Sequence, residues 1–183
     1  NFNPCFVLDL TATPKKESNI ISYVDAVQLK NEHMVKLPVI VYNRDSQSEV
    51  LIDAIDLRNK LEEIASVEYA KTGKYIRPIA LFQAQPKGKE DATTFEKLRD
   101  KLVDAGIPAE QIAIRTADVN ELKNVELMSL SCPIRYIITV NALKEGWDCP
   151  FAYILASLAN KTSQVDVEQI LGRILRLPHT SQH

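Results

Sequence analysis

The chain has 183 residues, 45% of them hydrophobic and 25% charged, a composition that supports one globular domain with a sizeable core and excludes a small scaffold held by disulfides. Lys plus Arg number 22 against 24 Asp plus Glu, a formal net charge of -2. No bulk positive field therefore draws the chain onto nucleic acid or a membrane, and any polyanion must be held by a few placed groups.

Cys5, Cys132 and Cys149 are odd in number and form no C-x-x-C pair, which points to a reducing compartment and idle or buried thiols rather than structural zinc. His179 and His183 lie four apart, but no cysteine pair precedes them, so no metal site is expected. No stretch approaches a membrane span, and the opening Asn1-Phe2-Asn3-Pro4 has neither the basic region nor the apolar run of a signal peptide. A cytoplasmic location is the resulting expectation, and the missing initiator Met suggests a piece of a longer protein.

In chain order, the apolar run 5–10 predicts a buried strand that exits sharply at Thr11-Ala12-Thr13-Pro14. The segment 17–36 has no clear periodicity, and 38–42 is a second β-branched run. Leu57, Leu61, Ile64 and Ala65 then recur at helical spacing, with Arg58, Lys60, Glu62 and Glu63 filling the other face. A strand over 77–83, a loop over 86–91 and a helix with Phe95, Leu98 and Leu102 on one side follow, and Gly106 is placed to close that helix. Next come a strand over 112–114, a weak helix near 119–128, strands over 134–140 and 151–158, and a last helix from about 164 to 177. Continuously apolar strands alternating with helices predict an α/β fold with a mainly parallel sheet covered on both faces.

The last helix carries the sharpest pattern. At about 100° per residue, Val167, Ile170, Leu171, Ile174 and Leu175 form one apolar stripe, while Gln169, Gly172, Arg173 and Arg176 share the opposite side. The arginines could simply be solvated. They could equally grip a triphosphate, because guanidinium is always charged and offers a planar fork of donors.

Gln169-x-x-Gly172-Arg173-x-x-Arg176 resembles motif VI of superfamily 2 helicases and translocases. The stretch Ile138-Thr139-Val140-Asn141-Ala142-Leu143-Lys144-Glu145-Gly146-Trp147-Asp148-Cys149-Pro150 resembles their motif V, in the form closest to restriction subunits of type III restriction enzymes. Thr11-Ala12-Thr13-Pro14 resembles motif III and Ala80-Leu81-Phe82-Gln83 resembles motif IV, and all four come in the family's order.

The resemblance implies a RecA-like three-layer α/β/α fold. Residues 1–15 would be the last strand and motif III of a preceding RecA-like domain, and residues 16–183 the second RecA-like, or helicase C-terminal, domain. It implies ATP and Mg²⁺ as cofactors, bound mainly by the first domain, since this sequence has no G-x-x-x-x-G-K-[ST]; Gly73, Gly88, Gly106, Gly146 and Gly172 are too scattered to build one. By the same resemblance Arg176 would be the arginine finger and Arg173 its partner on the γ-phosphate, with Gln169, Gly146 and Asp148 on the nucleotide side. Thr139, Asn141 and Gln83 would touch the DNA backbone, and Thr11 and Thr13 would couple ATP state to domain closure.

The implied partners are DNA, the first RecA-like domain of the parent chain and a DNA-modification (methyltransferase) subunit, with no membrane. The implied activity is ATP hydrolysis coupled to DNA translocation, with a downstream endonuclease in the parent. Another superfamily 2 motor such as a repair helicase, or a non-catalytic α/β interaction module, are the competing readings. A dinucleotide-binding enzyme is excluded, because no glycine-rich turn follows any strand.

Overall fold

The computed structural model describes residues 19–22, 25–32, 34–36, 39–40, 42, 44–86, 93–140, 149–158 and 174–178. The motif III-like residues Thr11 and Thr13, and the expected strand before them, lie outside these. The described elements are α1 (Ala26–Asn31), α2 (Gln47–Thr72), β1 (Ile79–Gln83), α3 (Phe95–Asp104), β2 (Ile112–Arg115), β3 (Tyr136–Thr139) and β4 (Ala152–Ser157), with a 3₁₀ turn at Ala109–Gln111 before β2.

The four strands form one sheet in the order β2-β3-β1-β4, with every pair parallel. This is the α/β architecture that the apolar strands predict. Central position explains their composition: all five residues of β1 and all four of β3 are buried, so both faces of each strand must be apolar.

Alternate residues divide the core in two. Ala80, Phe82, Ile112, Ile114, Tyr136, Ile138 and Ile154 face α2 and α3. Ile79, Leu81, Ala113 and Ile137 face Leu122, Ile134, Cys149, Phe151 and Ile174 on the other side. Among the described residues that second layer is largely irregular chain. The weak helix expected near 119–128 is absent, and the segment is a series of turns with Asn124 at φ 65. The start of the segment pairs with the end of β2 instead: Thr116 N–H donates to the Val119 carbonyl, which a helix would pair internally, and Glu121 N–H donates to the Ile114 carbonyl. The buried Arg77 donates to the carbonyls of Leu127, Ser129 and Cys132 further on.

Local signals set the helix ends. Ser46 caps α2 by accepting the Glu49 N–H at 3.2 Å, and Gly73 closes it at φ 70. Thr94 caps α3, and Gly106, at φ 88, ends it as expected. In α1, Asp25 and Gln28 accept each other's backbone N–H groups, a reciprocal capping box that the sequence pattern of 17–36 leaves unread.

The buried stripe of α2 differs from the expected one. Leu57 and Ile64 are exposed, at 39% and 64%, whereas Arg58 is 4% exposed and shares the inner face with Leu51, Ala54 and Ala65. The small Ala54 and Ala65 let the helix lie close to the sheet. Arg58 is accommodated because its Nε donates to the Pro78 carbonyl at 3.3 Å, its Nη2 pairs with Glu62, and its guanidinium lies 5.5 Å from the Tyr136 ring centre. The β-branched run 38–42 also departs from expectation: Val39, Ile40 and Tyr42 are exposed and belong to no strand. Among the described residues no helix is long and apolar enough to cross a membrane.

Candidate functional site

The crossovers fix where the sheet opens. From β1 the chain moves through α3, on one face, to β2 at the sheet edge, whereas from β3 it returns past β1 to β4 by way of Cys149 and Phe151, on the opposite face. With right-handed crossovers, connections that run in opposite directions from the adjacent strands β1 and β3 lie on opposite faces. This is the switch-point arrangement at which open parallel sheets form a crevice.

Arg115, Thr139, Gln83 and Ser157 stand in register along that carboxyl edge, one from each strand. Their alternation puts all four side chains on the face shared with Leu81, Ala113 and Ile137. Gln83 and Thr139, two of the DNA-backbone candidates, are therefore neighbours. Thr139 is fully buried and its carbonyl accepts the Ala84 N–H at 2.8 Å. Gln83 is 8% exposed, and its Oε1 accepts the Ser157 hydroxyl at 3.0 Å. One residue on, Gln85 ties three elements together. Its Nε2 donates to the Leu158 carbonyl, its Oε1 accepts the Thr93 N–H, and the Thr93 hydroxyl donates to Gln47 Oε1 at 2.6 Å.

Arg176 lies at the other edge. The last helix was expected to reach Leu177, but the chain leaves helical geometry after Ile174, and Arg176 forms an antiparallel bridge with Val35. The reason is competition for the backbone: Lys36 N–H donates to the Leu175 carbonyl at 2.6 Å, and Leu177 N–H donates to the Met34 carbonyl at 3.2 Å. Lys36 Nζ adds bonds to the Ile174 carbonyl, at 2.6 Å, and to the carbonyl of Ala152, the first residue of β4, at 2.8 Å. Ala152 and Ser157 are the two ends of β4, about 16 Å apart at a rise of ~3.3 Å per residue. The exposed Arg176 and the row at Thr139 thus occupy opposite edges of the sheet.

Around Lys36 the electrostatics are set by burial. Desolvation pulls the Lys36 amine down to about 8, against the pull of the nearby Cys149. It pushes the Cys149 thiol up to about 11, opposed by Lys36 and more weakly by Arg77, and the Tyr153 phenol up to about 12. The Lys36 ammonium lies 4.3 Å from the Tyr153 ring centre. Cys132 and Cys149 are both free thiols. Cys149 and Ile174 belong to one apolar cluster, and Lys36, which lies by Cys149, bonds the Ile174 carbonyl near the start of β4.

Comparison with family models, curated proteins and solved structures returns no match. Gln169, Arg173, Gly146, Asp148 and Asn141 lie outside the described residues, as do His179 and His183. Among the described residues no group of three His, Cys, Asp or Glu side chains could hold a metal.

Sequence reasoning missed Lys36, Gln85, Thr93 and Ser157. Thr93-Thr94 ahead of an apolar helix was a readable cap signal. Lys36 had none, since its partners stand 116 and 138 positions away along the chain.

Proposed function

We propose that this chain is the second RecA-like lobe of a superfamily 2 DNA translocase, closest to the restriction subunit of a type III restriction enzyme. The observation that supports the reading is that Lys36 lies by Cys149 and bonds the Ile174 carbonyl, which brings residue 149, at the end of the motif V-like stretch, near residue 174 of the motif VI-like one. These are the two segments whose resemblance assigns them to the nucleotide. The DNA-side candidates Gln83 and Thr139 pair at the opposite edge. Arg176 and the Thr139 row lie at opposite edges of the sheet, not around one seam as the motif pattern leads one to expect, so on this reading nucleotide and nucleic acid would have to use separate surfaces of the lobe.

Of the groups expected to act on ATP, Arg176 is exposed, while the described glycines, Gly73 and Gly106, end helices and build no phosphate cradle; Mg²⁺ would be held by the facing lobe. Bound between the lobes, ATP would supply the free energy of the cycle. Arg176 would stabilise charge developing on the transferred phosphoryl group, and Arg173 and Gln169 would orient it. Asn141 would hold the DNA backbone without reading bases, which suits a device that slides over any sequence; Thr139 and Gln83, expected from the resemblance to share that contact, are buried and would support it from within the strand ends. A methyltransferase subunit is the partner this assignment calls for, and a cytoplasmic location goes with it.

The test is Arg176→Ala in the polypeptide that carries the ATP-binding lobe. An arginine finger contributes about 10³ to 10⁵ in rate, so turnover should collapse. Nucleotide affinity should stay within about tenfold, because the group acts on the transition state. Unchanged turnover refutes the assignment. The isolated 183-residue chain should show no ATPase and only weak, salt-sensitive DNA binding.

A further inference from the structure

Residues 34–36 act on the exit of the last helix through backbone and side chain at once. Two backbone bonds, from Lys36 N–H to the Leu175 carbonyl and from Leu177 N–H to the Met34 carbonyl, flank the Val35–Arg176 bridge. The Lys36 side chain then reaches under this bridge to the carbonyls of Ile174 and Ala152, with the Tyr153 ring 4.3 Å from its nitrogen. The amine's donors thus bond the carbonyl of Ile174 and that of Ala152 at the start of β4, joining the chain at Ile174 to the sheet. The backbone of Arg176 is thereby held from both sides, two residues beyond the bonded Ile174.

We propose that Lys36 is a positioning residue for Arg176, fixing the backbone from which that guanidinium projects into the nucleotide site. The inference rests on the motor reading for its consequence, and on the hydrogen bonds for its geometry. Lys36 is half-buried and surrounded by carbonyls, a thiol and an aromatic ring, so its charge acts on the protein and not on a ligand. Removing the ammonium leaves the two backbone bonds but frees the Ile174 carbonyl, and the segment carrying Arg176 loosens. Misplacement of a catalytic group by about 1 Å can lower rate by about 10²-fold.

Two measurements on Lys36→Met, Lys36→Arg and Arg176→Ala test this. In the polypeptide carrying both lobes, Lys36→Met should lower kcat for ATP about tenfold or more while KM stays within about twofold, and Lys36→Arg, which keeps a charge and donors for both carbonyls, should recover most of kcat. In the 183-residue chain, Lys36→Met should speed hydrogen exchange at the Leu177 amide while the amides of β1 keep their protection. A collapse of turnover in Arg176→Ala with normal kcat in Lys36→Met overturns the positioning role and leaves the motor reading standing. Normal turnover in Arg176→Ala overturns the motor reading, and with it the catalytic consequence of the clamp. Unchanged exchange at Leu177, or loss of cooperative unfolding by Lys36→Met, assigns Lys36 no specific hold on Arg176 and also overturns the proposal.

Discussion

Arg58 offers a quantitative test of how α2 is held to the sheet. Its side chain is 5% exposed, and three methylenes of its stem are withdrawn from water, about 2 kcal/mol at ~0.8 kcal/mol each. The guanidinium over Tyr136 adds about 1 kcal/mol. The bonds to Pro78 and Glu62 largely offset the cost of desolvating the charge. Burial accordingly lowers the pKa of Arg58, with Tyr136 pulling the other way. Arg58→Ala removes both stem and charge, and should destabilise by about 3 kcal/mol, or about 6–12 °C in Tm for a chain of this size. Arg58→Met keeps most of the buried stem and should lose only about 1 kcal/mol. Glu62 is not stranded in either variant, because Arg135 Nε also donates to it at 2.9 Å. Urea unfolding of the three proteins measures both values. Equal losses in the two variants, or an Ala cost below about 0.5 kcal/mol as at an open surface position, would refute the argument.

Other outcomes follow from the same geometry. Lys36 titrates near 8 in the fold against 10.5 for the ordinary amine, so between these values the unfolded chain carries a proton that the fold has released, and stability rises with pH across that window. Cys149 and Tyr153, both pushed up by burial, act in the opposite direction above about 9. The Lys36 contribution is therefore read as wild type minus Lys36→Met in urea titrations from pH 7.5 to 10.5, and a flat difference contradicts it. Gly106→Ala should cost about 1–2 kcal/mol by thermal unfolding. At φ 88 the cost is conformational, since an added Cβ there meets nothing within 4 Å; Gly106→Asn, which tolerates positive φ, should lose less, and equal losses would point to a contact instead.

Much of the scaffold was legible because it depends on local pattern. The largely apolar runs at 77–83 and 134–140 announced strands covered on both faces, and Gly106 marked the end of α3. Reading failed where a distant partner overrides local preference. The 119–128 segment has a helical pattern, yet its start pairs with the end of β2, Thr116 N–H donating to the Val119 carbonyl and Glu121 N–H to the Ile114 carbonyl. The last helix stops at Ile174 because Met34 and Lys36 pair with the chain beyond it. On α2 the charge pattern placed Arg58 outside; the sheet's demand for small residues at Ala54 and Ala65 turned it inward.

By itself, then, the sequence determined the class of architecture, since the period of apolar residues dictates which surfaces must leave water. Only the tertiary structure decided the strand order, which set Gln83 beside Thr139 at one edge, and the clamp of Lys36 that fixed the chain before Arg176 at the other. Those placements depend on pairings between segments more than fifty residues apart, and no local spacing encodes which distant carbonyl an amine will find.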